Sequence, residues 1–106
     1  MTREERCFPE QDRLFDAILK LKDREECRSF FEDICTMGEL NEMAKRLWVA
    51  ELLTEGVSYL QISKRTGVST ATISRVNRAL SWGAGGYGIA LERLEPRVDD
   101  GEEEQA

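Results

Sequence analysis

Between Ser58 and Leu80 the chain reads SYLQISKRTGVSTATISRVNRAL, and its chemically useful side chains are hydroxyls, amides and cations. Ser69, Thr70, Ala71 and Thr72 are four small residues in a row. Their hydroxyls can serve donor or acceptor edges of bases, and an alanine methyl can touch a thymine methyl. Ser74, Arg75 and Arg78 follow at helical spacing. An arginine fork matches guanine or a phosphate. Gln61, Lys64 and Arg65 lie just upstream, where they suit sugar–phosphate contacts that set register. These ten residues are the expected contacts to double-stranded DNA.

Other chemistries find little material. The chain has no histidine, which removes His-based acid–base catalysis, catalytic triads and His-ligated metals. Cys7, Cys27 and Cys35 are odd in number and lack CxxC spacing, so free thiols are expected rather than disulfides or zinc. No glycine-rich phosphate loop follows a strand, and acidic pairs such as Glu25-Glu26 and Asp99-Asp100 read as solvated surface. No enzyme activity, cofactor or metal is expected.

Charge is distributed in blocks. The formal net charge is −6, yet residues 57–91 hold Lys64, Arg65, Arg75 and Arg78 and no acid. Phosphate responds to the local field, because exposed charges are screened over about 8–10 Å. An acid-free basic stretch in an acidic chain therefore favours a nucleic-acid partner. The same stretch also fits an ordinary solvated face beside an acidic tail, so charge alone does not decide.

The elements that must position these residues are helical. Leu14, Phe15, Ile18 and Leu19 form a stripe after Phe8-Pro9, and proline suits a first helical position. Asp23 with Glu26, Thr36 with Glu39 and Ser58 with Gln61 have capping-box spacing. Cys27, Phe30, Phe31, Ile34 and Cys35 make a second amphipathic stripe. Leu40, Met43, Ala44, Leu47, Trp48, Val49, Leu52 and Leu53 cover more than one face, so their helix should be buried on several sides, ending at Gly56. A short helix to about Arg65 and a turn at Thr66-Gly67-Val68 should follow, then a helix capped by Ser69 that runs to about Leu80. Short helix, glycine turn and second helix make a helix-turn-helix, with Ile62, Val68, Ile73 and Val76 inward and Ser63 at the close crossing. Gly83 to Gly88 marks a break, and a last short helix carries Tyr87, Ile89, Leu91 and Leu94 before Pro96. Residues 1–95 should be one helical domain. Residues 96–106 should be an acidic, disordered tail.

From Glu39 to Leu80 the chain resembles the Trp repressor superfamily, and within it the YerC/YecD-type Trp-repressor-related proteins. The residues that carry the likeness are Arg46-Leu47, Ala50 to Leu53, Gly56, Ser58, Ile62, Thr66-Gly67-Val68-Ser69 and the run from Ala71 to Arg78. The resemblance implies an all-α, six-helix subunit in an intertwined homodimer. It also implies a transcriptional regulator, expected to be a repressor, on a palindromic operator. The same helix-turn-helix docking on a partner protein, with Trp82, Tyr87 and Ile89 as apolar anchors, is the alternative.

The resemblance also implies a ligand pocket in which an indole lies between two arginines. Thr36, Arg46, Thr72 and Arg75 stand at the threonine and arginine positions, with Lys45 replacing Arg46 if the alignment shifts by one. Val76 stands where the family's repressor has glycine, and Ala79 where it has serine. Valine adds bulk where the ring needs space, and alanine removes a polar partner for the amino group. The six positions therefore read as a vestigial pocket, without tryptophan as effector. No stretch approaches the ~20 apolar residues of a membrane span. The charged N-terminus has no apolar run behind it, so a cytoplasmic protein is expected.

Overall fold

A computed structural model describes residues 8–97, and within them the chain is helical with no strand. The helices are α1 (Pro9–Leu19), α2 (Arg24–Ile34), α3 (Met37–Thr54), α4 (Tyr59–Thr66), α5 (Thr70–Trp82) and α6 (Gly86–Arg93). The chain divides into two compact units between Leu40 and Asn41, and α3 runs across the division. The expected disorder of the acidic tail and the expected free thiol of Cys7 fall largely or wholly outside the described residues, whereas Cys27 and Cys35 are free.

In the N-terminal unit the caps behave as their spacing predicts. Pro9 opens α1. Asp23 Oδ1 accepts from the Glu26 N–H at 2.9 Å, and Glu26 Oε1 accepts from the Lys22 N–H at 2.8 Å. Thr36 and Glu39 bond reciprocally at 3.0 and 2.9 Å, closing a capping box at the start of α3. Phe30 and Phe31 meet edge to face, 5.4 Å between centroids. Yet neither α1 nor α2 contains a buried residue. Phe15, Ile34 and Met37 are exposed, and Leu19 is 79% exposed. Leu14, Ile18, Cys27, Phe30, Phe31 and Cys35 are half-buried, so these stripes have the spacing of core faces without one fully buried residue among the described residues.

The C-terminal unit has a core. Val49, Ala50 and Leu52 of α3, Ile62 of α4, Val68 of the turn, and Ile73 and Val76 of α5 form one buried cluster. Trp48, Leu53, Val57, Leu80, Tyr87 and Leu91 pack around it half-buried. Burial of α3 is thus concentrated on the face of Val49 to Leu52. Leu40, Met43 and Leu47 are half-buried and Ala44 is exposed. At the end of α3 the Val57 N–H reaches the Leu52 carbonyl and the Gly56 N–H the Leu53 carbonyl. With Gly56 at φ +82° this is the Schellman stop. Arg97 ion-pairs with Glu51 and lies 5.9 Å from the Trp48 ring centroid.

Helix limits differ from the sequence expectation by one or two residues. Helix α4 includes Thr66, α5 continues past Leu80 to Trp82, and α6 ends before Leu94. The extension of α5 follows from its stop: the Gly83 N–H bonds to the Ala79 carbonyl at 2.9 Å. A Cβ on Gly83 would sit 2.4 Å from that oxygen, so this turn requires glycine.

Gly67 closes α4 at φ +76°, and a Cβ there would meet no atom within 4 Å. Its requirement is therefore conformational rather than steric crowding by neighbours. Gly67→Ala should lower unfolding free energy by about 1–2 kcal/mol. Urea titration should show this as a lower midpoint with an unchanged slope.

Candidate nucleic-acid interface

The two helices that carry the candidate contacts are locked at both ends. Ser58 Oγ accepts from the Gln61 N–H at 3.2 Å and starts α4. Ser69 Oγ accepts from the Thr72 N–H at 3.2 Å and starts α5, while the Ser69 and Thr72 hydroxyls bond each other at 3.2 Å. Between them, Thr66 is buried although polar. Its hydroxyl donates to the Ile62 carbonyl at 2.7 Å and accepts from the Val68 N–H at 3.1 Å. Ser63 Oγ donates to the Val68 carbonyl at 2.8 Å. Sequence reasoning placed Ser63 for its small size and Thr66 simply in the turn. The T-G-V triplet was the available signal, because a hydroxyl two residues before a buried amide can satisfy it.

With Ile62, Ile73 and Val76 held inward, the opposite faces of α4 and α5 are open. Gln61, Lys64, Arg65, Ser69, Thr70, Ala71, Ser74, Arg75 and Arg78 are all exposed, and Thr72 is half-buried. No acid lies anywhere in residues 57–91. The small residues from Ser69 to Thr72 crowd the N-terminus of α5, where free backbone N–H groups and the positive end of the helix dipole favour an anion. Lys64 and Arg65 occupy the last turn of α4, favourable for cations.

The positions expected to form a vestigial pocket differ in character. Thr36 belongs to the N-terminal unit, and its hydroxyl is engaged in the α3 cap. Arg46 and Arg75 are exposed, and Lys45 is half-buried. Val76 is 2% exposed and belongs to the core cluster. Ala79 borders an open hollow of about 440 Å³, with Leu47, Ala84, Gly86, Tyr87 and Ala90 as the other lining residues. Of the apolar anchors considered for a protein partner, Trp82 is 85% exposed and Ile89 is exposed, but Tyr87 packs against the core. Among the described residues no cluster of His, Cys, Asp and Glu is arranged to hold a metal. No described helix is long and apolar enough to cross a membrane.

Comparison with known proteins agrees with this architecture. The sequence profile described as Trp repressor protein matches residues 10–95. The uncharacterized protein YerC of Bacillus subtilis is 53% identical over 85 residues, spanning 80% of this chain and 82% of that protein. A crystal structure of a TrpR-like protein from Eubacterium eligens superposes with a TM-score of 0.82 at 46% identity, covering 86% of this chain and 94% of the other. A candidate Trp repressor from Staphylococcus aureus superposes with a TM-score of 0.81, also at 46% identity, over 88% and 93% of the two chains.

Proposed function

The chain belongs to the Trp repressor protein family, and from that footing we propose that it is a cytoplasmic repressor that binds a palindromic operator as an intertwined homodimer. The observation that carries the reading is the acid-free face of α4 and α5, with every candidate contact exposed or half-exposed and the N-terminus of α5 lined by small residues. Such a helix enters the major groove by its N-terminal end. Thr70, Ala71, Thr72 and Ser74 then face base edges, with Arg75 or Arg78 on guanine or phosphate. Ser69 and the α5 amides meet a phosphate, and Gln61, Lys64 and Arg65 hold the backbone. The family is one of regulators rather than enzymes.

The incompletely covered stripes support the dimeric part of this reading. Neither amphipathic helix has a fully buried residue, so each keeps apolar surface that association could cover. Burying one large apolar side chain is worth about 1.5–3 kcal/mol. A second copy supplies the missing surface, and its two-fold axis supplies the second half-site. On this reading residues 1–95 are one domain completed by the partner, and residues 96–106 are a tail outside it. Sedimentation at micromolar concentration should give about twice the 12.1 kDa chain mass. A monomer at that concentration would remove the intertwined arrangement.

Selection of bound sequences from random duplex DNA tests the central reading. It should recover a palindrome with half-sites about one helical turn apart. On that operator, Lys64→Ala and Arg65→Ala should weaken all sequences alike. Each should flatten the salt dependence by about 0.9 in log–log slope for every phosphate left without its cation. Salt-insensitive capture of a protein instead of DNA would favour the docking alternative.

Tryptophan is not the effector on this reading, because Val76 is already core and Ala79 presents no hydroxyl. An effector that promotes DNA binding must itself bind tighter when DNA is present. L-tryptophan at millimolar concentration should leave operator affinity and melting temperature unchanged. A saturable rise in either would show that the pocket survives the substitutions.

A further inference from the structure

Two hydroxyl side chains of α4 converge on one residue of the turn. Thr66 Oγ1 accepts the Val68 N–H at 3.1 Å while donating to the Ile62 carbonyl at 2.7 Å. Ser63 Oγ donates to the Val68 carbonyl at 2.8 Å. The Val68 side chain is itself in the core cluster. Val68 is therefore held by its N–H, its C=O and its side chain, all by the preceding helix and the core. The next residue, Ser69, is the N-cap of α5.

We propose that Thr66 and Ser63 are positioning residues for operator recognition: by fixing Val68 they set where the first turn of α5 stands in front of the bases. The proposal deepens the DNA-binding reading and rests on it. Side-chain reach separates the two kinds of contact. Thr70, Ala71 and Thr72, the base-edge residues of that first turn, carry one- or two-carbon side chains. Such side chains have no length with which to follow a displaced backbone. Lys64, Arg65 and Arg78 have long flexible stems and can keep a phosphate when the backbone moves by about an ångström. Loosening Val68 should therefore cost base readout and spare the phosphates held by the cations, which are the ones that set the salt dependence. Sequence discrimination falls, whereas the salt dependence, which counts phosphates, does not.

The test uses the full chain with Thr66→Val, Thr66→Ser and Ser63→Ala. Valine has nearly the shape of threonine without the hydroxyl, and serine keeps the hydroxyl. Two readouts are taken. Amide hydrogen exchange without DNA follows Val68 and the first turn of α5 relative to the amides of α3. Affinity for the selected operator and for a scrambled duplex is followed over a range of salt. Thr66→Val should speed exchange at Val68 relative to α3 and lower the operator-to-scrambled ratio about ten-fold. That is about 1.4 kcal/mol of discrimination. Ser63→Ala should lower the ratio in the same direction, and Thr66→Ser should restore it. The salt slope should stay constant throughout.

Equal weakening on both duplexes, or unchanged exchange at Val68, would overturn the proposal and leave the hydroxyls as stability elements only. Should Thr66→Val fail to fold, Ser63→Ala decides on the same two readouts, since it leaves the buried threonine intact. Should the unaltered protein bind no duplex, the regulator reading falls, and with it the role in recognition. Exchange at Val68 then still decides whether the hydroxyls hold α5.

Discussion

A small aliphatic cluster carries the C-terminal unit. Val49, Ile62 and Ile73 are fully buried, one from each of three helices, with Val76 and Val68 beside them. At about 1.5–3 kcal/mol for each large side chain removed from water, this cluster is the main force orienting α4 and α5. Hydroxyls refine what burial begins. A turn this tight buries backbone polar groups, and a buried N–H without a partner is costly. Thr66 resolves that conflict within the chain, so the corner can be both apolar and hydrogen-bonded.

The two units meet the same constraint differently. Amphipathic periodicity is as clear in α1 and α2 as in α5, yet only the C-terminal unit buries its stripe. A chain of roughly a hundred residues has a large surface for its volume, so one short helical chain can close only a limited core. Where the stripe stays open, the apolar surface is available for association. The fold and the proposed dimer would then be two consequences of one shortage of internal surface.

Charge and ligand chemistry follow from which side chains the core claims. Burial of Ile62, Ile73 and Val76 leaves the polar positions of α4 and α5 outside, and the absence of acid from residues 57–91 makes that face locally basic in an acidic chain. The same burial bears on the pocket. A valine at position 76 contributes to the core cluster, where glycine would leave space. On the proposed reading, stability of the unit and vacancy for an aromatic ring compete for that position; the valine side chain is in the core.

Local interactions were legible in the residues themselves. Pro9, the Asp23, Thr36, Ser58 and Ser69 caps, and the left-handed turns at Gly56 and Gly67 lie where their spacing predicts. The helix-turn-helix and its inward residues were legible too, because apolar periodicity and turn chemistry act over a few residues and need no distant partner. Helix ends were less so: α5 runs on to Trp82 because its stop depends on how Gly83 meets Ala79. Which stripes are buried, and which face of α3 is used, belongs to the tertiary structure alone. The periodicity of α1 and α2 is that of a core helix, and the pattern cannot say whether the covering surface comes from the same chain. The double role of the Thr66 hydroxyl was legible only in part, through the T-G-V triplet. Its acceptor contact matters because Val68 is buried, and burial is a property of the packed unit rather than of any short stretch of sequence.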